Sequence, residues 1–154
     1  MVKKESVKRG YMTYTEVQEH LKGKSPEEYQ SYLKKVLSHE KMLSEKTRGE
    51  IYQHLKGMSD YTIKDITGGN LEKTAKIYEH NLDFERAALA WEKAGKSEKA
   101  AEAYEKELSQ FTSMERKGQA VASIGHRGTI LENAAKCWEK AGKSEKAAEA
   151  YEKA

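Results

Sequence analysis

Cysteine is all but missing from this chain. Cys137 stands alone, which excludes an intramolecular disulfide and fits a reducing compartment. Proline is reduced to Pro26, and Asn and Gln number 3 and 5 among 154 residues. Scarce amides beside abundant Lys and Glu lean towards a thermophilic source. No apolar run approaches the length of a membrane span, so membrane insertion is not expected. The opening MVKKESVKRG lacks the apolar stretch of a signal peptide, and the expected location is the cytoplasm. A strong excess of one charge is lacking too. Residues 1–66 carry 13 Lys/Arg against 10 Asp/Glu, residues 67–154 carry 15 of each, and the net charge is +3. That excess is too small to imply nucleic acid or an anionic membrane without a clustered patch.

What remains is a chain of Ala, Glu and Lys divided by single glycines, 37% apolar and 34% charged, which points to an all-α fold with a lean core. Residues 1–12 carry no apolar period and are expected to be frayed. Tyr14, Val17 and Leu21 have helical spacing before Gly23. Ser25-Pro26-Glu27-Glu28 reads as a helix start, followed by the stripe Tyr29, Tyr32, Leu33, Val36 and Leu37, extended towards Met42 and Leu43. Residues 47–56 read as a helix with Ile51, Tyr52 and Leu55 inward. Ser59 caps a short helix through Ile63 and Ile66, Gly68-Gly69 breaks it, and Asn70 caps the next. Three apolar faces follow: Leu71, Ala75, Tyr78 and Leu82; Phe84, Ala87, Ala88 and Trp91; Ala100, Tyr104, Leu108 and Phe111. Each segment is about a dozen residues, the length of an average helix.

The string WEKAGKSEKAAEAYEK occurs twice, at 91–106 and 138–153, an offset of 47. DFERAALAWEKAG (83–95) matches ILENAAKCWEKAG (130–142), and traces persist further back, Ala75 against Ala122 and Ile77 against Ile124. A period of this size marks a helical array. The expected unit has three helices and begins near 71 and again near 115–118.

The centre of the string, AGKS, looks like the end of a phosphate-binding loop. Such a loop needs another glycine five residues earlier, where Ala90 and Cys137 stand, and it should follow a buried strand rather than the helical run 87–94. A turn accounts for the same residues. Gly95 and Gly142 take the left-handed position after a helix, Ser97 and Ser144 cap the next helix, and Glu98 and Glu145 suit its positive end.

Read as hairpins, these residues resemble a tetratricopeptide repeat. The first block runs Phe84-x2-Ala87-Ala88-x2-Trp91, Gly95, Ala100-x3-Tyr104. The second runs Leu131-x2-Ala134-Ala135-x2-Trp138, Gly142, Ala147-x3-Tyr151. The period is 47 rather than the family's 34, the terminal proline is missing, and Glu107 stands where a small residue is usual. The longer unit is similar to the irregular arrays of the attachment proteins (SNAPs) of vesicle fusion. The resemblance covers about residues 71–154. It implies antiparallel helical hairpins stacked as a right-handed array over 67–154, in units of about 71–112 and 115–154; the helical segment before it, 1–66, is expected to pack on that array. It further implies protein or peptide binding on a concave side lined by first helices. There Glu85, Leu89 and Glu92 would face the groove in one unit, and Glu132, Lys136 and Glu139 in the next. The Lys/Asn clamp that some members use for a C-terminal carboxylate is not at matching positions. The acidic line with one lysine favours a basic or mixed partner. The plainer alternative makes these solvated helix residues paired at i, i+4.

No two of the five histidines have the i, i+4 spacing of a helical metal site, and Cys137 has no zinc-ligand neighbour, so no metal or cofactor is expected. Cys137 reads as small and buried, and Trp91 and Trp138 as packing. A non-enzymatic interaction scaffold is the expected function, and self-association through the final helix, with its apolar Tyr151, is allowed. The alternative is a DNA-binding regulator. Residues 47–81 read helix, turn, helix, turn, helix, and the third helix would offer Glu72, Lys73, Lys76 and His80 to the major groove. Two lysines and an acid are a thin footprint, so nucleic acid is the weaker expectation.

Overall fold

The computed structural model describes residues 13–118 and 124–154. Residues 1–12 and Ala122, with the expectations attached to them, lie outside the described residues. Every regular element among the described residues is helical, and the chain falls into two compact units, Met1–Asn81 and Leu82–Ala154. The units meet one helix later than the boundary placed at 66/67.

The first unit is built from short helices that start on a side-chain cap. Thr13, Ser25, Ser44, Ser59 and Asn70 each accept a backbone N–H from three residues on, at 3.0–3.3 Å, and so satisfy a donor that the helix itself leaves free. The helices that follow are α1 (Tyr14–Leu21), α2 (Pro26–Ser38), α3 (Glu45–His54), α4 (Asp60–Ile66) and α5 (Leu71–His80). Packing runs α1 on α3, α2 on α4 and α3 on α5. The core is Val17, Leu33, Val36, Leu37, Ile51, Tyr52, Leu55, Ile63, Ile66, Ala75, Ile77 and Tyr78, all buried. Buried polar atoms are tied across it. The Tyr52 hydroxyl donates to Glu40, the Tyr78 hydroxyl to Asp60 at 2.5 Å, and the Asn81 amide to the Tyr52 carbonyl at 2.8 Å.

The stripe of α2 does not continue as helix to Met42. The Ser38 hydroxyl turns back to the Lys35 carbonyl at 2.6 Å, His39 leaves helical geometry (φ −109, ψ 41), and a 3-10 turn, Glu40–Met42, follows. Leu43 is buried, but Met42 is 52% exposed.

The second unit comprises α6 (Phe84–Lys93), α7 (Ser97–Arg116), α8 (Ile124–Lys140) and α9 (Ser144–Lys153), each packed on its neighbour in the chain. Its core is made of alanines, Ala87, Ala88, Ala100, Ala101, Ala103, Ala134 and Ala135, around the plates of Trp91, Tyr104 and Trp138. Ala lets helix axes approach closely, and the large rings fill the space between.

Three expectations need correction here. Leu82 does not join the Leu71, Ala75 and Tyr78 face. It sits at φ 62 in the turn after α5 and is 59% exposed. Nor does the three-helix unit recur. Shifted by 47, α8 covers both the end of α5 and all of α6, yet it is continuous. Asp83 caps α6 through the Arg86 N–H at 3.4 Å; its counterpart Ile130 has no capping group and is buried, so the helix runs through. Lastly, Leu108 and Phe111 are only half-buried, and the buried residue of that stretch of α7 is Glu107.

Candidate interaction surface

The two copies of the repeated string fold alike. After α6 the Lys96 N–H bonds the Trp91 carbonyl at 2.9 Å and the Gly95 N–H bonds the Glu92 carbonyl at 3.0 Å. After α8 the Lys143 N–H bonds Trp138 at 2.9 Å and the Gly142 N–H bonds Glu139 at 3.0 Å. This pairing ends a helix on a left-handed residue, and Gly95 and Gly142 have φ 77 and 76. AGKS is a turn in both places. Ser97 and Ser144 are not its caps. They are the first helical residues, the cap positions are Lys96 and Lys143, and neither makes a side-chain cap bond. The lysine of the following SEK closes over the tryptophan instead. Lys99 Nζ lies 4.6 Å from the Trp91 ring centre and Lys146 Nζ lies 4.4 Å from that of Trp138.

Side chains then join one hairpin to the next. Glu92 on α6 bonds the Tyr104 hydroxyl of α7 and accepts the Cys137 thiol of α8 at 3.0 Å. Glu105 on α7 accepts the Trp138 indole N–H of α8 at 2.9 Å. Burial, then the Glu92 hydrogen bond and charge, push the Cys137 thiol up to about 12. The neutral thiol is the donor in this bond and not a nucleophile. Burial, followed by the Glu92 charge, also raises the Tyr104 hydroxyl.

Of the residues placed in the groove by resemblance, Glu85 and Leu89 are exposed on α6, and Glu132, Lys136 and Glu139 on α8. Their i, i+4, i+7 spacing puts each set along one helix face. Glu92 differs, being half-buried and engaged by Tyr104 and Cys137. It is an interhelix joint rather than a free contact.

A residue that sequence reasoning left aside is Glu107. Its side chain is buried, and Oε2 has no hydrogen-bond partner among the described residues. His126 Nε2 is 3.9 Å from Oε1. Burial, then the charges of Glu85 and Asp83, raise its carboxyl to about 7. The signal was present as a misfit, a glutamate where the resembling family keeps a small residue. The negative charge of Glu85, Asp83 and Glu107 therefore gathers on α6 and α7, relieved locally by Arg86, 3.5 Å from Asp83.

In the first unit, α3, α4 and α5 do follow in the order that suggested DNA reading. However, Lys73 and His80 among the side chains offered are engaged in the fold. Lys73 Nζ donates to the Leu37 carbonyl at 2.9 Å, and the His80 ring stands edge-on to Tyr52, 5.9 Å away, over Gly49. A shallow recess beside them is lined by Glu45, Lys46, Gly49, Glu50, Gln53 and His80. Among the described residues no group of three His, Cys, Asp or Glu is placed to hold a metal ion, and no helix is long and apolar enough to cross a membrane. No protein-family model, curated protein or solved structure matches the chain.

Proposed function

We propose that the chain is a non-enzymatic interaction scaffold. Its α6–α9 unit acts as a tetratricopeptide-like pair of hairpins, and its partner is a protein or peptide of basic or mixed charge. The observation that carries this reading is the exposed face of α6. Leu89 is 44% exposed, with exposed Glu85 one helical turn before it and half-buried Glu92 one turn after it. An apolar side chain in an acidic surround suits a segment that alternates apolar and basic residues. The likeness to the repeat family is supported by burial. Ala87, Ala88, Trp91, Ala100 and Tyr104 are all buried, as are Ala134, Ala135, Trp138 and Ala147.

The test is affinity capture from cells of the source organism, with nuclease treatment in parallel. Wild type is compared with the double variant Glu85→Lys/Glu132→Lys, checked by circular dichroism to remain folded. Glu92 and Glu139 stay unchanged, because each holds a tyrosine hydroxyl. A protein captured by wild type and lost from the variant supports the reading. Recovery that depends on nucleic acid, or that ignores both charges, overturns it.

A further inference from the structure

The repeated string allows a comparison inside one molecule, because identical residues occupy two different environments. In the first copy the face made by Ala101 and Tyr104 is covered by α8, with Glu105, itself exposed, at its edge. Ala101 is 0% exposed, Tyr104 is 3% exposed, and Glu105 holds the Trp138 indole. In the second copy the same face is Ala148, Tyr151 and Glu152. All three are exposed, Tyr151 by 41%. The acceptor beside it is repeated as well. Glu139 bonds the Tyr151 hydroxyl as Glu92 bonds Tyr104, but where Glu92 also receives the Cys137 thiol, Glu139 is exposed.

From this we infer that the outer face of α9 is a docking site for a partner protein's helix with the side-chain pattern of α8. That pattern is Ala134-Ala135-x-Cys137-Trp138: two small residues for close approach, a thiol or hydroxyl donor for Glu139, and an indole N–H for Glu152. The complement is not guessed from apolarity, since the molecule shows the same surface with its mate in place. A second copy of this chain does not supply the mate. Cys137 and Trp138 on α8, and Trp91 on the equivalent helix α6, are already buried within each chain. This face is separate from the one carrying Glu85 and Leu89, and the inference holds whether or not that face binds a basic segment.

The experiment titrates the full chain into a fluorescein-labelled peptide of residues 124–140. Cys137 is replaced by serine to keep a donor without oxidation, and a hydrocarbon staple joins positions 132 and 136, which are exposed on α8. The staple supplies the helix that so short a peptide would not hold alone. The expected result is saturable one-to-one binding by anisotropy. It should weaken at least tenfold with Ala148→Arg in the protein. With Glu152→Ala, or with Trp138→Phe in the peptide, it should weaken about tenfold, as loss of a hydrogen bond to a charged group does. Both protein variants should keep the wild-type Tm, because both positions are exposed, and Glu85→Lys/Glu132→Lys should bind the peptide normally. Absence of saturation by about 1 mM, or binding indifferent to Ala148→Arg, overturns the inference. Sedimentation showing a dimer that Ala148→Arg dissolves overturns it also, by making a second copy the occupant.

Discussion

Glu107 is a carboxyl that the fold holds away from its preferred charge. Its pKa rises from 4.5 to about 7 on folding, through burial first and then Glu85 and Asp83, with His126 across from it and Tyr104 nearby on the same helix. The folded state thus binds more protons than the unfolded state between those two values. Stability falls as pH rises through that window, and the full penalty is present above it. Glu107→Gln keeps the shape and removes the charge. It should stabilise the chain by about 2 kcal/mol at pH 8 and change little at pH 4.5, where the native carboxyl is already neutral. Urea unfolding at the two pH values measures the difference. An equal effect at both would mean that the carboxyl is not held neutral by the fold. Cys137 shows the opposite use of a buried titratable group, since its thiol gains a carboxylate acceptor and stays protonated.

Helix starts and stops were largely legible because they rest on local chemistry. Ser25, Ser59, Asn70 and the glycines at 68, 69, 95 and 142 act on their own few neighbours, and a sequence displays those neighbours directly. What was not legible depends on competition. Ser97 has the right chemistry for a cap, but the chain enters α7 with Lys96 in the cap position and Ser97 already helical. The continuity of α8 turns on one exchange, Asp83 for Ile130, that an alignment of apolar positions does not weigh. The break between α5 and α6 also leaves Leu82 at φ 62, a conformation that costs a residue with a Cβ about 1–2 kcal/mol. Its side chain is mostly exposed, so replacing it removes little packing. Leu82→Gly should therefore be neutral or stabilise by up to about 1 kcal/mol, the relief of strain being partly offset by the freer unfolded glycine. A denaturant midpoint that falls by more than that would show that Leu82 packs on something it leaves exposed in this structure.

At the scale of the molecule, composition and period were enough for an all-α chain. The candidate surface was legible only where an exposed helix face depends on spacing alone. Glu85, Leu89, Glu132, Lys136 and Glu139 lie outward as a 3.6-residue period requires, whereas the inward turn of Glu92 depends on Cys137, 45 residues away. No sequence pattern could separate the two copies of WEKAGKSEKAAEAYEK, because they are identical; only what packs against them differs. Their difference can be measured with a matched pair of substitutions. Ala101→Leu inserts three carbons between α7 and a helix already in contact, and it should cost about 1–3 kcal/mol by overpacking. Ala148→Leu makes the same change on the same local sequence, but at an exposed position, where surface substitutions shift stability by about 0.5 kcal/mol or less. Unequal midpoints with an unchanged m-value would show that neighbours, not the string, set the burial. Equal costs would mean that α9 is covered in solution as α7 is, leaving no free face for a partner's helix.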